Sequence, residues 1–297
     1  MLMNGALYKG RIEDLGIAFH YAVTTDMANE AVLRHECDPV AAHLLVRAMT
    51  AALLSAASGD VHDRINVRWA YEGRVRTVLV DAGGDGTARG MISPVSLHGT
   101  ADVAELYGEK GNIQVVRSRG GTVMASGTIE ACFMDVVDDL TAFLCMSDQV
   151  ESGAAVLVAF SDNPERPVHV ARGLLLQALP GCDLERFQRI RSRLNDDEAR
   201  TFLSRINEPD NLFEDVLRAL TCDEMETPEW TMGEAGVPAF RCTCGPEKLG
   251  PALRCLSYPE RADIVQKKKD IAIRCHFCNE RYMLSVDDCI RAWNEKG

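Results

Sequence analysis

Cys242-Thr243-Cys244 and Cys275-His276-Phe277-Cys278 are two close cysteine pairs with thirty residues between them. Only folding can bring them together, and together they can enclose one metal ion. A soft d¹⁰ cation such as Zn²⁺ takes four thiolates in a tetrahedron, and two pairs from two chain segments supply them. In an extended C-x-C the side chains two apart share a face, so both sulfurs reach one ion; a C-x-x-C turn supplies the other two. Ordinary zinc ribbons use C-x₂-C twice, so this spacing is unusual. Cys242, Cys244, Cys275 and Cys278 are therefore the candidate metal ligands, and the C-terminal segment folds according to what they hold.

Composition sets the setting for that site. The chain has 297 residues, 46% of them hydrophobic, which is room for a large domain with its own core and a small appendage. The most apolar stretch, Pro39–Ala57, is interrupted by His43 and Arg47, so no membrane span is expected. The N-terminus has no basic, apolar, small-residue succession of a signal peptide, which points to the cytoplasm. Eleven cysteines in a reducing compartment read as thiols, with metal binding or redox chemistry for the clustered ones. Cys37, Cys132, Cys145, Cys182 and Cys222 stand singly among apolar neighbours and are expected to be buried packing residues. Net charge is −12, yet residues 240–297 carry eleven Lys and Arg against eight Asp and Glu. Arg241, Lys248, Arg254, Arg274 and Arg281 are placed to offset a tetrathiolate centre and to hold its sulfurs deprotonated.

Upstream, alternation over 16–23 predicts a first strand. Asp38-Pro39 is an N-cap followed by the favoured first helical residue, and Ala41, Leu44, Leu45, Ala48 and Ala52 carry helical spacing to Ser58-Gly59. From Ile65 the period becomes two, giving strands over 65–69, 75–80 and 87–92, with the Gly-rich 81–86 as a hairpin turn. That segment lacks the Gly-Lys-Ser/Thr and the helix of a phosphate loop. Strands are expected at 113–117 and 122–130, a helix at 135–149, and buried strands at 154–160 and 168–177. The class is α+β, built on antiparallel-rich sheets with helices.

Residues 183–239 hold fourteen acidic against seven basic residues and no strand pattern. Leu184, Phe187, Leu194 and then Leu212, Phe213, Val216, Leu217 and Leu220 mark amphipathic helices with thin apolar faces, which keep their shape only while docked. The expected division is a body at 1–182, a metastable helical linker at 183–239 and a zinc-binding domain at 240–297.

No catalytic constellation accompanies this. The seven histidines fall in no nucleophile elbow or His-Glu-x-x-His helix, and His276 would point away from an ion held by its neighbours. Asp138-Asp139 and Asp196-Asp197 are adjacent on helices and diverge. Lys267-Lys268-Lys269 reads as a solvated face. The chain is not expected to be an enzyme.

The order C-x-C, some thirty residues, C-x-x-C at the C-terminus resembles the redox-regulated 33 kDa heat-shock chaperone (33 kDa chaperonin) of bacteria. Val23-Thr24-Thr25 with Glu30-Ala31 and His35, Arg89-Gly90, Asp139-Leu140 through Ser147-Asp148-Gln149, the run from Gly173 through Leu174, Leu175, Leu176, Gln177, Ala178, Leu179 and Pro180 to Gly181, and Cys275–Cys278 with Asn279 and Tyr282 all follow its pattern. The chain departs where the family often has Gly-Gly-Leu, with Arg172-Gly173-Leu174, and after Cys244, with Gly245-Pro246-Glu247-Lys248. All four ligand cysteines are kept.

The resemblance implies an ATP-independent holdase, inactive while reduced and loaded with one Zn²⁺ per chain. Oxidation would form the disulfides Cys242–Cys244 and Cys275–Cys278, release zinc and free the linker to expose apolar surface for unfolded or partly folded client proteins. A homodimer of the oxidised form stays open, and neither nucleic acid nor membrane is an expected partner. Two other readings compete: a zinc module for nucleic acid, opposed by the −12 charge, and a C-x-x-C thiol oxidoreductase, which leaves Cys242 and Cys244 idle.

Overall fold

The structure, a computed structural model, describes residues 5–100, 102–197, 201, 203, 212–224, 229–248, 250–268 and 270–294. It divides into two compact units, Met1–Arg241 and Cys242–Gly297.

The larger unit is built around α2 (Pro39–Ala57). Asp38 caps it, its carboxylate accepting the Ala41 N–H at 2.8 Å. The helix is apolar on every side, and Leu45, Ala48, Met49, Ala52, Leu53 and Leu54 have no exposed surface. A helix buried all round needs cover on opposite faces, and two sheets supply it. One consists of β1 (Ala6–Ile12), β2 (Ile17–Val23), β8 (Ser152–Phe160), β9 (Val168–Ala178) and β10 (Trp230–Gly236), in the order β10-β1-β2-β9-β8 and antiparallel throughout. The other contains β3 (Asp63–Tyr71), β4 (Thr77–Gly83), β5 (Thr87–Ser93), β6 (Gly111–Arg119), β7 (Thr122–Glu130) and β11 (Ala239–Phe240), in the order β11-β5-β4-β3-β6-β7, with only β11–β5 parallel. Two glycines let the helix in. A Cβ on Gly90 would lie 3.0 Å from Met49 Cγ, and one on Gly173 would lie 2.8 Å from Leu54 Cδ1. Length and composition alone would let α2 cross a membrane, but 83% of its most apolar window is buried inside the unit.

Around this centre stand α1 (Thr25–His35), the short α3 (Val103–Tyr107) and α4 (Val136–Met146). Asp135 caps α4 and forms a bidentate pair with Arg47 of α2. Asp139 is fully buried and accepts from the Tyr71 hydroxyl and the Cys132 and Phe133 N–H groups, each at 2.9 Å. Asp139 thus serves the start of α4.

The segment expected to be a linker packs on the five-stranded sheet within the same unit. α5 (Leu184–Ser192) and α6 (Leu212–Thr221) bury Phe187, Ile190, Val216, Leu217 and Leu220 against Phe19, Tyr21, Leu174 and Leu176. Leu184, expected on the apolar face, is half exposed because it begins the helix. The side chains of Leu212 and Phe213 lie outside the described residues. Glu224, beyond α6, accepts from Arg189 Nε at 2.6 Å and from the Arg186 guanidinium, tying α5 to it.

Several expectations need correction. The linker carries a strand after all: β10 pairs with β1, Thr231 opposite Arg11 and Gly233 opposite Lys9. Its sequence, Trp-Thr-Met-Gly-Glu-Ala-Gly, shows no alternation because it is a mostly exposed edge strand, whose pairing is through its backbone. β1 and α1 were not expected either. Cys132 and Cys222 are exposed, since both fall at element ends and not on a core face; Cys37, Cys145 and Cys182 are partly buried.

The smaller unit contains α7 (Gly250–Arg254), α8 (Tyr258–Lys267), a hairpin of β12 (Ile271–Arg274) and β13 (Arg281–Leu284), and α9 (Val286–Asn294). Its core is thin: Leu253, Leu284, Cys289 and Ala292, flanked by Leu256, Ile271, Ile273 and Trp293. Cys289 belongs to that core, whereas Cys255 is exposed. Lys267 is exposed and pairs with Asp263 at 2.8 Å; Lys269 lies outside the described residues.

Candidate metal centre

Two unlike backbone segments present the four sulfurs. Cys275 and Cys278 sit at the tip of the β12–β13 hairpin. There the Cys275 N–H donates to the Glu280 carbonyl and the Asn279 N–H to the Cys275 carbonyl, both at 2.8 Å. Asn279 takes a left-handed φ of 61°, which closes the C-x-x-C turn and which asparagine tolerates better than most residues. Cys242 and Cys244 come from an irregular stretch beginning just after β11, with Thr243 exposed between them.

The four Sγ atoms lie within 4.8 Å of one another. Cys242 and Cys275 are 3.8 Å apart, and Cys244 and Cys278 3.3 Å. A tetrahedron with Zn–S bonds of about 2.3 Å has edges of about 3.8 Å, so the set lies within a few tenths of an ångström to an ångström of what one zinc-sized ion needs. The four soft donors suit Zn²⁺ and leave no open position for substrate.

The electrostatics agree with this use. Burial pushes the Cys278 thiol well above its ordinary value and raises that of Cys244, the latter against a hydrogen bond with the Tyr282 hydroxyl. Without a cation these thiols stay protonated at neutral pH; a divalent ion reverses that balance. Tyr282 Oη stands 3.0 Å from Cys244 Sγ, and that bond is the largest cause of the raised phenol pKa. Its hydroxyl is a sulfur partner that cysteine spacing alone does not reveal, although it lies opposite Ile273 in the hairpin register. His276 is exposed and stands outside the cluster.

An α+β body on two antiparallel-rich sheets, with a four-cysteine cluster in a small separate unit, is a defined combination. A family model described as Hsp33 protein matches residues 6–285, and this chain belongs to that family. It is 31% identical to the 33 kDa chaperonin of Bacillus subtilis (strain 168), over 97% of this chain and 96% of that protein. To the 33 kDa chaperonin of Trichodesmium erythraeum (strain IMS101) it is also 31% identical, over 96% of this chain and 90% of that protein. The fold resembles the crystal structure of the 33 kDa chaperonin (heat shock protein 33 homolog) of Thermotoga maritima, with a TM-score of 0.77, 22% identity and 98% of each chain covered. Family membership makes this chain a chaperone.

Proposed function

We propose that the chain is an ATP-independent holdase of the cytoplasm, without enzymatic turnover, switched by the redox state of Cys242, Cys244, Cys275 and Cys278. The observation that carries this reading is the gathering of four sulfurs within 4.8 Å in a unit whose own core is thin. Reduced, the four thiolates hold one Zn²⁺, and the binding free energy stabilises the fold of 240–297. Oxidation couples Cys242 to Cys244 and Cys275 to Cys278. Each hydrogen peroxide takes two electrons from one thiolate pair and two protons from solvent, leaving a disulfide and two waters, so two equivalents discharge the site. The unit then loses its main stabilising interaction.

Residues 183–239 are the metastable element between this unit and the body at 1–182. Phe187, Ile190, Val216, Leu217 and Leu220 cover Phe19, Tyr21, Leu174 and Leu176. Chain continuity through β10 and β11 into Cys242 ties the segment to the metal centre. Once it loosens, both apolar faces become available to unfolded or partly folded clients. Nucleic acid and membranes are not partners in this reading.

The test is a paired measurement on the purified full chain. Reduced protein is expected to hold one zinc per chain and to leave aggregation of a heat-denatured client unchanged. After peroxide at elevated temperature it is expected to release zinc and suppress that aggregation. Equal suppression by the reduced, metal-loaded form would overturn the switch.

A further inference from the structure

α2 ends at Ala57, while β1, β2, β9 and β10 of the five-stranded sheet run on past it. The uncovered corner is a cavity of about 680 Å³. Its polar lining comes from Lys9 and Arg11 of β1, His20 of β2, Gln177 of β9 and Ser58 beyond the end of α2. Register explains the convergence. Lys9 lies opposite His20 and Arg11 opposite Ala18, which in turn lies opposite Gln177; with a side-chain period of two, all of these share one face.

Two features of this corner lack a structural explanation. Lys9 and Arg11 are exposed side by side on one strand, and neither forms an ion pair among the described residues. Such a cation pair is conspicuous in a chain of net charge −12. His20 is only 6% exposed, yet its Nδ1 has no hydrogen-bond partner, a costly arrangement for a buried polar atom. Burial, and then the Lys9 charge, lower its pKa to about 4, so the ring that lines the cavity is neutral. The one carboxylate in the lining, Glu13, accepts from the Thr231 hydroxyl at 3.1 Å and keeps its charge, so the lining has two cations against one anion. Beside these groups Val150 and Leu179 supply the apolar part of the lining.

We propose that this cavity binds a small oxyanion, a phosphate or carboxylate group carried on a compact apolar body. Lys9 and Arg11 neutralise the anion, the neutral His20 ring and the Gln177 amide, whose Nε2 also donates to Ser152 Oγ at 3.3 Å, border it, and the apolar body lies along Val150 and Leu179. Because Thr231, also in the lining, belongs to β10, a bound ligand bridges β1 to β10 and holds that edge strand in place.

Phenyl phosphate and benzoate test the site on the full reduced chain, by calorimetric titration at ionic strength held constant with sodium chloride. Saturable one-site binding of at least one of them is expected, with slower hydrogen exchange in β1 and β10. Tighter binding of phenyl phosphate identifies a phosphate ligand, and tighter binding of benzoate a carboxylate. The double variant Lys9→Gln/Arg11→Gln should bind at least tenfold more weakly, and the charge-keeping Lys9→Arg/Arg11→Lys should retain binding. Both variants alter exposed side chains, so circular dichroism should be unchanged. No saturable binding of either probe up to about 10 mM, an affinity below roughly 3 kcal/mol, overturns the proposal, as does binding unaltered in the Gln/Gln variant.

Discussion

Tyr282 holds its hydroxyl 3.0 Å from the Cys244 sulfur, and its ring is set by β13, whose register places it opposite Ile273. A hydroxyl donating to a thiolate orients the ligand and shares its charge, and loss of such an outer contact typically weakens metal binding by about 10–100-fold. Tyr282→Phe keeps the ring and removes only the hydroxyl. The expected outcome is zinc held at least about tenfold more weakly, read by competition with a chromophoric chelator, together with faster oxidation by peroxide. Zinc affinity equal to that of the parent chain would show that the hydroxyl merely packs beside the sulfur. Cys289, also in this unit, has no such role: it is fully buried in the small core, and burial raises its thiol pKa.

At the scale of elements, the docking of α5 and α6 decides how readily the body's sheet is uncovered. Leu217 is fully buried against a cluster that includes Phe19, Tyr21, Leu174 and Leu176. Truncating a buried leucine to alanine costs about 2–5 kcal/mol, and here the loss falls on a helix of ten residues that cannot hold itself in water. Leu217→Ala is therefore expected to suppress client aggregation partly in the reduced, zinc-loaded state, with faster hydrogen exchange in α6. A reduced variant as inactive as the parent chain would place the control elsewhere. The helices were legible because their apolar spacing is strong, as was α2, whose Asp38-Pro39 start and unbroken apolar run leave little alternative. β10 was not legible, because Trp230–Gly236 is recognised by the edge of β1 and not by a pattern of its own. The tightness of the layers could be read only in hindsight: Gly90 and Gly173 are where the sheets admit Met49 and Leu54.

For the whole molecule, the proposed switch turns on the contrast between the two units. The cysteine cluster was legible in the sequence because thiolate chemistry tolerates few spacings, whereas Tyr282 and the exposed Cys132 and Cys222 depend on tertiary placement that no local pattern records. The larger unit has α2 closed between two sheets. The smaller, Cys242–Gly297, has among its described residues a small core of Leu253, Leu284, Cys289 and Ala292, and so small a core rarely offsets the entropy of ordering a unit by itself. Structural zinc contributes on the order of 10 kcal/mol or more to such small domains, so metal and fold should be lost together there and nowhere else. Chelation of zinc from the reduced protein is expected to abolish the protected amides of α7, α8, the β12–β13 hairpin and α9, and to change the fluorescence of Trp293, whose indole N–H donates to the Leu253 carbonyl at 3.0 Å. The amides of α2, β3, β4 and β9 should keep their protection, and zinc added back under reducing conditions should restore the rest. Persistent protection of the small unit without metal would mean that its core suffices alone, and oxidation could then not unfold it by removing zinc.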